Sequence, residues 1–179
     1  MKIICTGNPT AGICKYIKEL YPDTMFVSRS NGYDLSTVEG LDKFNLLLPG
    51  YDVFINHSQL VPGVQAALLS HANHVWTAGR VINIGTVIEF KKWEWIEPAV
   101  AEEKRQLREL SLALLTENFR TTHMIVGGLS SCDDDPLRLD PEQVALAIKW
   151  ILESPSYIPL IYVDRISDEL ISNWSSKKL

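Results

Sequence analysis

The sequence is poor in the features that define disulfide-rich, membrane-spanning and nucleic-acid-binding proteins. Its three cysteines, Cys5, Cys14 and Cys132, form no CxxC pair, and their odd number argues against a disulfide framework. No apolar run approaches the roughly 18 residues of a membrane span, and the run that follows Lys2 is too short for the core of a signal peptide. A formal net charge of −5 disfavours a broad electrostatic grip on nucleic acid or anionic lipid. We therefore expect a cytoplasmic protein whose partner is a small molecule or another protein.

The chain has enough apolar residues for one substantial core. It contains 179 residues, of which 46% are hydrophobic, and no Gly, Ser or Pro tract divides it, so a single domain over 1–179 is expected. Apolar runs typical of buried strands occur at 2–6, 24–28, 52–56, 80–84, 122–126 and 159–163. Helical periodicity occurs at 12–21, 41–48, 62–71, about 98–118, 141–153 and 168–174. This alternation predicts an α/β fold with a mainly parallel sheet of six or seven strands and helices on both faces.

The first strand runs into a glycine-containing loop. Gly7 and Gly12 permit the sharp reversal and close backbone approach that a dinucleotide pyrophosphate requires at a helix N-terminus. Glycine-containing strand-to-helix loops are also common where nothing binds. From these residues alone, a nucleotide site and plain turn chemistry are about equally favoured.

Several ordered motifs resemble those of the short-chain dehydrogenase/reductase family, whose members have a Rossmann fold and use NAD or NADP. Thr6-Gly7 with Gly12-Ile13 resembles the TGxxxGxG loop of that family, and DVFINHS at 52–58 lies in the place of its NNAG segment. GRVINIGTV at 79–87 is similar to the strand that leads to the catalytic serine, and IVGGL at 125–129 resembles the turn after the sixth strand. The resemblance covers nearly the whole chain and implies a Rossmann-like, doubly wound sheet.

The resemblance also implies a dinucleotide site at matching positions. The implied cofactor-binding residues are Gly7, Asn8, Thr10, Gly12, Ile13, Arg29, Ser30, Asp34, Leu35, Asn56, His57, Ser58, Lys104, Gly128 and Leu129. The loop has one extra residue, and Cys14 replaces the last glycine of the motif. The chain also lacks room for the helix that usually follows the second strand, and only about twenty residues separate INHS from GRVINIG. The chain is therefore interpreted as a compact member of the family, and its oligomeric state, monomer or homo-oligomer, stays open.

Arg29 indicates which dinucleotide is preferred. It follows the second strand, where a carboxylate would bind the adenosine ribose of NAD and an arginine would pair with the 2′-phosphate of NADP. The prediction is NADP, with NAD second, although a solvated arginine at a strand end is the alternative. Asp34 and Leu35 would flank the adenine, but an Asx turn or a helix N-cap explains Asp34 equally well.

The residues that resemble the catalytic centre lack the general acid. Thr86 is in the position of the serine and Lys104 in that of the lysine, but Val100 is in the position of the tyrosine. No tyrosine occurs between Tyr51 and Tyr157, so another alignment does not restore one. Other candidate proton donors, each also explained by a surface or packing role, are Glu97, Glu103 and His57. We expect either an atypical NADP-dependent oxidoreductase with impaired or altered carbonyl-reductase chemistry or a non-catalytic dinucleotide-binding protein that acts through protein partners; an empty Rossmann core is a third outcome.

Two further groups of residues are ambiguous. His71 and His74 lie one helical turn apart, but the sequence offers no third ligand, so no metal site is expected. Trp93 and Trp95, beside two lysines, would suit a planar anionic ligand or would simply cover the core. The substrate cannot be read from the sequence.

Overall fold

The residues that the structure describes form one six-stranded, entirely parallel sheet. The computed structural model describes residues 1–57, 63–76, 78–90, 98–129 and 139–164. The strands are β1 (Ile3–Thr6), β2 (Met25–Val27), β3 (Val53–Asn56), β4 (Gly79–Thr86), β5 (Phe119–Val126) and β6 (Leu160–Val163). Their order in the sheet is β2-β1-β3-β4-β5-β6, and all neighbouring pairs are parallel. The predicted fold class, a doubly wound α/β sheet, is confirmed.

Helices cover both faces of the sheet. They are α1 (Gly12–Leu20), α2 (Val38–Leu47), α3 (Val64–Val75), α4 (Pro98–Ala113) and α5 (Pro141–Glu153). Successive strand residues point to opposite faces, so Ile3 and Cys5 pack with α1 and α5, whereas Ile4 packs with α2, α3 and α4. Both faces are therefore apolar near the amino ends of the central strands, which explains why the strands appear as continuous apolar runs in the sequence.

Capping side chains fix where helices α5 and α2 begin. Asp140, a residue type favoured at N-caps, is the N-cap of α5 and accepts a hydrogen bond from the backbone N–H of Glu142 at 2.9 Å. Helix α2 begins earlier than its apolar periodicity predicts, because the Thr37 hydroxyl accepts from the backbone N–H of Gly40 at 3.1 Å. The predicted start at Pro62 and the predicted last helix at 168–174 lie outside the described residues. Within the described ranges, no helix is long and apolar enough to cross a bilayer.

Helix α4 differs from the expected amphipathic pattern. In the sequence, an apolar stripe at helical spacing predicts which residues of this segment face the core: Leu107, Leu110, Leu114 and Leu115. Glu103 lies outside this stripe, yet it is only 4% exposed, whereas Leu115, which follows the end of α4, is 37% exposed. This prediction is wrong because α4 covers a part of the sheet that carries polar side chains, among them Asn83 and His123. On α4, Lys104, Arg108 and Ser111 each meet a polar partner there.

The strand order places a crevice at one edge of the sheet. From β1 the chain passes to β2 on one side and later to β3 on the other, so the direction of winding reverses between β1 and β3. In open parallel sheets, ligands bind beyond the carboxyl ends of the strands at such a reversal. The segments that follow β1, β2, β3, β4 and β5 all begin at this edge.

Candidate functional site

The loop between β1 and α1 is closed by its own side chains and leaves the helix start uncapped. Gly7 and Gly12 have φ angles of 140° and 53°, which residues with a Cβ atom rarely adopt. The Asn8 carboxamide oxygen accepts from the backbone N–H of Thr10 at 3.0 Å and from its hydroxyl at 2.9 Å. The residue before α1, Ala11, provides no side-chain cap. The first amides of α1 therefore remain available to an anion, as helix N-terminal amides are in phosphate sites.

His57 joins the two sides of the crevice. Its backbone N–H donates to the Thr6 hydroxyl at 2.9 Å, which ties the end of β3 to the end of β1. Its ring Nδ1 lies 3.5 Å from the Sγ of Cys14 in the first turn of α1. Contacts with Cys5 and then with His57 lower the pKa of the Cys14 thiol, whereas burial raises the pKa of the Cys5 thiol. His57 therefore joins the end of β3 to β1 through its backbone and to α1 through its ring.

A cleft of about 410 Å³ opens beyond the carboxyl ends of β3, β4 and β5. Its lining consists of Ile13, His57, Ile84, Gly85, Thr86, Ile88, Lys104, Val126, Gly127, Gly128 and Leu129. Six of these were predicted from the sequence as site residues, and they come from five separate segments of the chain. The fold therefore brings together Ile13, His57, Thr86, Lys104, Gly128 and Leu129. The predicted loop residues Gly7, Asn8, Thr10 and Gly12 immediately precede Ile13, whereas Ser58, Trp93, Trp95 and Glu97 lie outside the described residues.

The segment after β2 carries the residues predicted to face the adenosine. Arg29 and Ser30 are exposed in a 3₁₀ turn, Arg29–Asn31, at the carboxyl end of β2. Asp34 accepts from the backbone N–H of Ser36 at 3.1 Å and from its hydroxyl, so it forms the Asx turn that was its alternative explanation. These hydrogen bonds lower the pKa of the Asp34 carboxyl. Leu35 is buried in the core beside α2.

Lys104 is buried and held by a residue that sequence reasoning missed. It is 3% exposed, and its Nζ donates to the side-chain oxygen of Gln65 on α3. Gln65, fully buried, donates in turn to the backbone oxygens of Asn56 at 2.8 Å and Ile84 at 3.2 Å. Burial is the main cause that lowers the pKa of Lys104. The signal in the sequence was present, because Gln65 interrupts an apolar stripe at helical spacing with Leu68, Leu69 and Ala72.

Val100, at the position where the resemblance implies a tyrosine, lies one helical turn before Lys104 on α4. It is half-buried, it has no hydroxyl, and it is not among the residues that line the cleft. Thr86, at the carboxyl end of β4, does line the cleft and keeps a hydroxyl there. The described part of the site therefore contains a lysine and a hydroxyl donor, with a valine at the position one helical turn before the lysine.

A buried polar cluster beneath the cleft was also not predicted. The Glu89 carboxylate lies 3.0 Å from Nε2 of His123 and 3.0 Å from Nη1 of Arg108. Gly85 makes room for it, because a Cβ at that position would lie 2.4 Å from His123 Nε2 and 2.8 Å from a Glu89 oxygen. Beside it, the Asn56 amide donates to Asn83 at 2.9 Å, and Asn83 donates to the Ser111 hydroxyl at 3.1 Å. Helix α4 contributes Arg108 and Ser111 to this polar layer.

The sheet topology and the position of the cleft define a Rossmann-like, doubly wound α/β protein. No protein-family model and no curated protein sequence matches the chain. Its fold is that of solved structures of short-chain dehydrogenases and reductases. One is a 3-alpha-hydroxysteroid dehydrogenase from Pseudomonas sp. B-0831 complexed with NADH, at 17% identity and a TM-score of 0.69 with 100% of both chains covered.

Two further structures show the same likeness. A short-chain dehydrogenase from Burkholderia cenocepacia J2315 in complex with NADP is 12% identical, with a TM-score of 0.66 over 97% of this chain and 93% of the other. A putative NAD(P)-dependent gluconate 5-dehydrogenase from Beutenbergia cavernae with bound NADP is 16% identical, with a TM-score of 0.70 over 91% and 94%. At these identities the likeness establishes the fold.

Proposed function

We propose that the protein is a compact relative of the short-chain dehydrogenases and reductases that binds NADP(H), with NAD(H) second, at the carboxyl edge of its sheet. The observation that carries the proposal is the convergence of an uncapped α1 N-terminus, the Thr86 hydroxyl and the Lys104 amine around one cleft. Three solved structures with the same fold are described with NADH or NADP bound. Hydride transfer is the chemistry that the nicotinamide would supply when bound.

The residues present fit a dinucleotide. Uncapped amides at the start of α1 would hold the pyrophosphate, since a helix N-terminus favours negative charge. Gly7 and Gly12 adopt positive φ angles without strain, and they leave the loop backbone free of side chains that would block this approach. Asn56, His57 and Ser58 would contribute their backbone to the ribose side, and Gly128 and Leu129 would close the opposite wall.

Arg29 supports a preference for NADP. It is exposed at the carboxyl end of β2, and its guanidinium forms no ion pair within the described residues. A guanidinium can bind a phosphate with two parallel hydrogen bonds. The 2′-phosphate of NADP would supply that partner.

Val100 favours impaired or altered carbonyl-reductase chemistry. Lys104 and Thr86 could still orient a ligand, but an aliphatic side chain cannot transfer the proton that a substrate carbonyl needs when it is reduced. The second candidate function, a non-catalytic dinucleotide-binding protein that acts through partners, rests on the same residue. The substrate and the oligomeric state are left open by both.

Titration with NADPH and NADH by calorimetry tests this assignment. We expect NADPH to bind more tightly than NADH, and Arg29→Ala to weaken NADPH binding by about 10- to 100-fold, the range for one hydrogen bond to a charged group. NADH affinity should stay unchanged in the same variant. Arg120→Ala is the matched control, because Arg120 is an exposed arginine at the opposite edge of the sheet.

Two results would contradict the assignment. If neither nucleotide binds the wild-type protein, only the fold remains. If Arg29→Ala weakens NADPH and NADH equally, or no more than Arg120→Ala does, the arginine does not read the 2′-phosphate.

A further inference from the structure

Lys104 is an unusual buried lysine because its partner is neutral. Its Nζ donates to the Gln65 carboxamide oxygen, and no carboxylate lies within 4.0 Å of it among the described residues. A buried ammonium is normally stabilised by an opposite charge, since burial without one costs several kcal/mol. An amide oxygen compensates less of that cost, so burial favours the neutral amine.

The charged groups around Lys104 do not reverse this balance. Glu103 on the same helix and Glu89 after β4 both act to raise the pKa of Lys104, but burial has the larger effect and the pKa is lowered. The Glu89 carboxylate already contacts nitrogen atoms of Arg108 and His123, so Lys104 is not its direct partner. From the β3 side the titratable group that lines the same cleft is His57, which adds no negative charge.

The cleft beside Lys104 is suited to a small apolar molecule. The lysine shares its lining with Ile84, Ile88 and Val126, and also with the Thr86 hydroxyl, which can donate to a carbonyl oxygen. A neutral lysine amine in an apolar site is a nucleophile toward carbonyl carbon. Val100 leaves no phenol on the preceding turn to bind that carbonyl for reduction.

We propose that Lys104 is a carbonyl-reactive amine that forms an imine with small aliphatic aldehydes in this cleft. The Lys104 nitrogen adds to the aldehyde carbon, its proton passes to the oxygen to give a carbinolamine, and loss of water gives the imine. No oxidant or reductant takes part in this step, and hydrolysis reverses it. The step requires no nucleotide, although it uses the same cleft and the same lysine as the proposed nucleotide site.

Reductive trapping tests the proposal on the full-length protein. Propanal and cyanoborohydride convert an imine to a stable N-propyl lysine, and peptide mass mapping gives the extent at each lysine over time. At neutral pH we expect Lys104 to be modified at least about tenfold faster than the exposed Lys2 and Lys15, and its rate to level off at a lower pH than the 10.5 ordinary for lysine.

Gln65→Glu is the paired variant, because it places a carboxylate of the same shape beside Lys104. It also removes the two hydrogen bonds that the Gln65 amide donates to Asn56 and Ile84, so its fold is checked in the same experiment. A charged partner favours the ammonium, so modification of Lys104 should slow by about tenfold or more at neutral pH and recover at high pH. Lys2 and Lys15 should react as they do in the wild-type protein. Lys104→Arg should remove the modified peptide altogether.

The wild-type measurement alone can overturn the proposal. Modification of Lys104 that is no faster than that of Lys2 and Lys15, or a rate profile that follows the ordinary lysine value, means that the amine is not activated. Equal modification of Lys104 in wild type and in a folded Gln65→Glu variant, as judged by circular dichroism, would also reject it. Failure of NADPH to bind would leave these outcomes unaffected, so the two proposals are tested separately.

Discussion

At the scale of single residues, the proposed function depends on the side chain at position 100. Val100 is one helical turn from Lys104, where the resemblance implies a tyrosine, and it is half-buried on α4. Thr86 and Lys104, which are at the positions of the implied serine and lysine, both line the cleft. A mutation at this one position can therefore introduce the phenol that the resemblance implies.

Val100→Tyr should create or raise NADPH-dependent reduction of activated carbonyl compounds. General acid catalysis is typically worth about 10²- to 10⁴-fold in rate, so a gain in this range is expected if the new hydroxyl reaches the cleft. NADPH consumption measured by absorbance gives the rate. Val100→Phe is the control, because it adds the same ring without the hydroxyl and should give no gain.

Absence of any gain with Val100→Tyr over a broad panel of ketones and aldehydes would show that the pocket differs beyond this hydroxyl. That result would favour the non-catalytic candidate function.

At the scale of elements, strands β4 and β5 and helix α4 are joined through polar groups as well as through apolar packing. Gly85 of β4 allows the His123 ring of β5 and the Glu89 carboxylate to occupy the space beside its backbone. Both side chains are fully or nearly fully buried, and Arg108 of α4 contacts the same carboxylate. Neither can move away without breaking a buried contact.

Gly85→Ala should therefore destabilise the protein by about 1–3 kcal/mol, the usual cost of inserting an extra methyl group into a well-packed interior. Urea unfolding followed by circular dichroism measures the change. Gly50→Ala is the control, because a Cβ at Gly50 meets no atom within 4 Å. If both variants unfold at the same urea concentration as the wild-type protein, the close approach at Gly85 has no energetic importance.

At the scale of the whole molecule, the polar layer between the sheet and helices α3 and α4 makes stability depend on pH. The pKa of Lys104 is lower in the folded protein than the ordinary value of 10.5. At pH values between the pKa of Lys104 in the folded protein and 10.5, the unfolded chain binds more protons than the folded protein. This lysine therefore makes the free energy of unfolding rise with pH in that range. The destabilising effect is greatest below the folded pKa and disappears as the pH rises through 10.5.

The comparison of wild type with Lys104→Met tests this linkage. The free energy of unfolding of the wild type, minus that of the variant, should increase as the pH rises toward 10.5, with a slope of at most about 1.4 kcal/mol per pH unit. Urea unfolding at a series of pH values gives the difference. Lys15→Met, at an exposed position, serves as the reference for the substitution itself. A difference that stays constant with pH would show that Lys104 is fully charged in the folded protein.

The fold was predictable because its signals are local. Strands buried on both faces give continuous apolar runs, and caps such as Asp140 mark where helices begin. The ordered motifs likewise predicted that Thr86, Lys104 and Gly128 would meet, since the carboxyl ends of parallel strands share one edge. The expectations of NADP preference, cytoplasmic location and altered chemistry remain predictions.

The sequence by itself determined the order of strands and helices, the edge at which the loops converge, and the absence of a tyrosine before Lys104. Only the tertiary structure decided the partners of the buried polar groups. Gln65 contacts Lys104 across 39 positions of sequence, and Glu89 contacts His123 across 34. The physical reason is that burial and hydrogen bonding depend on which helix faces which strand, and periodicity along one segment carries no information about the polar groups that face it.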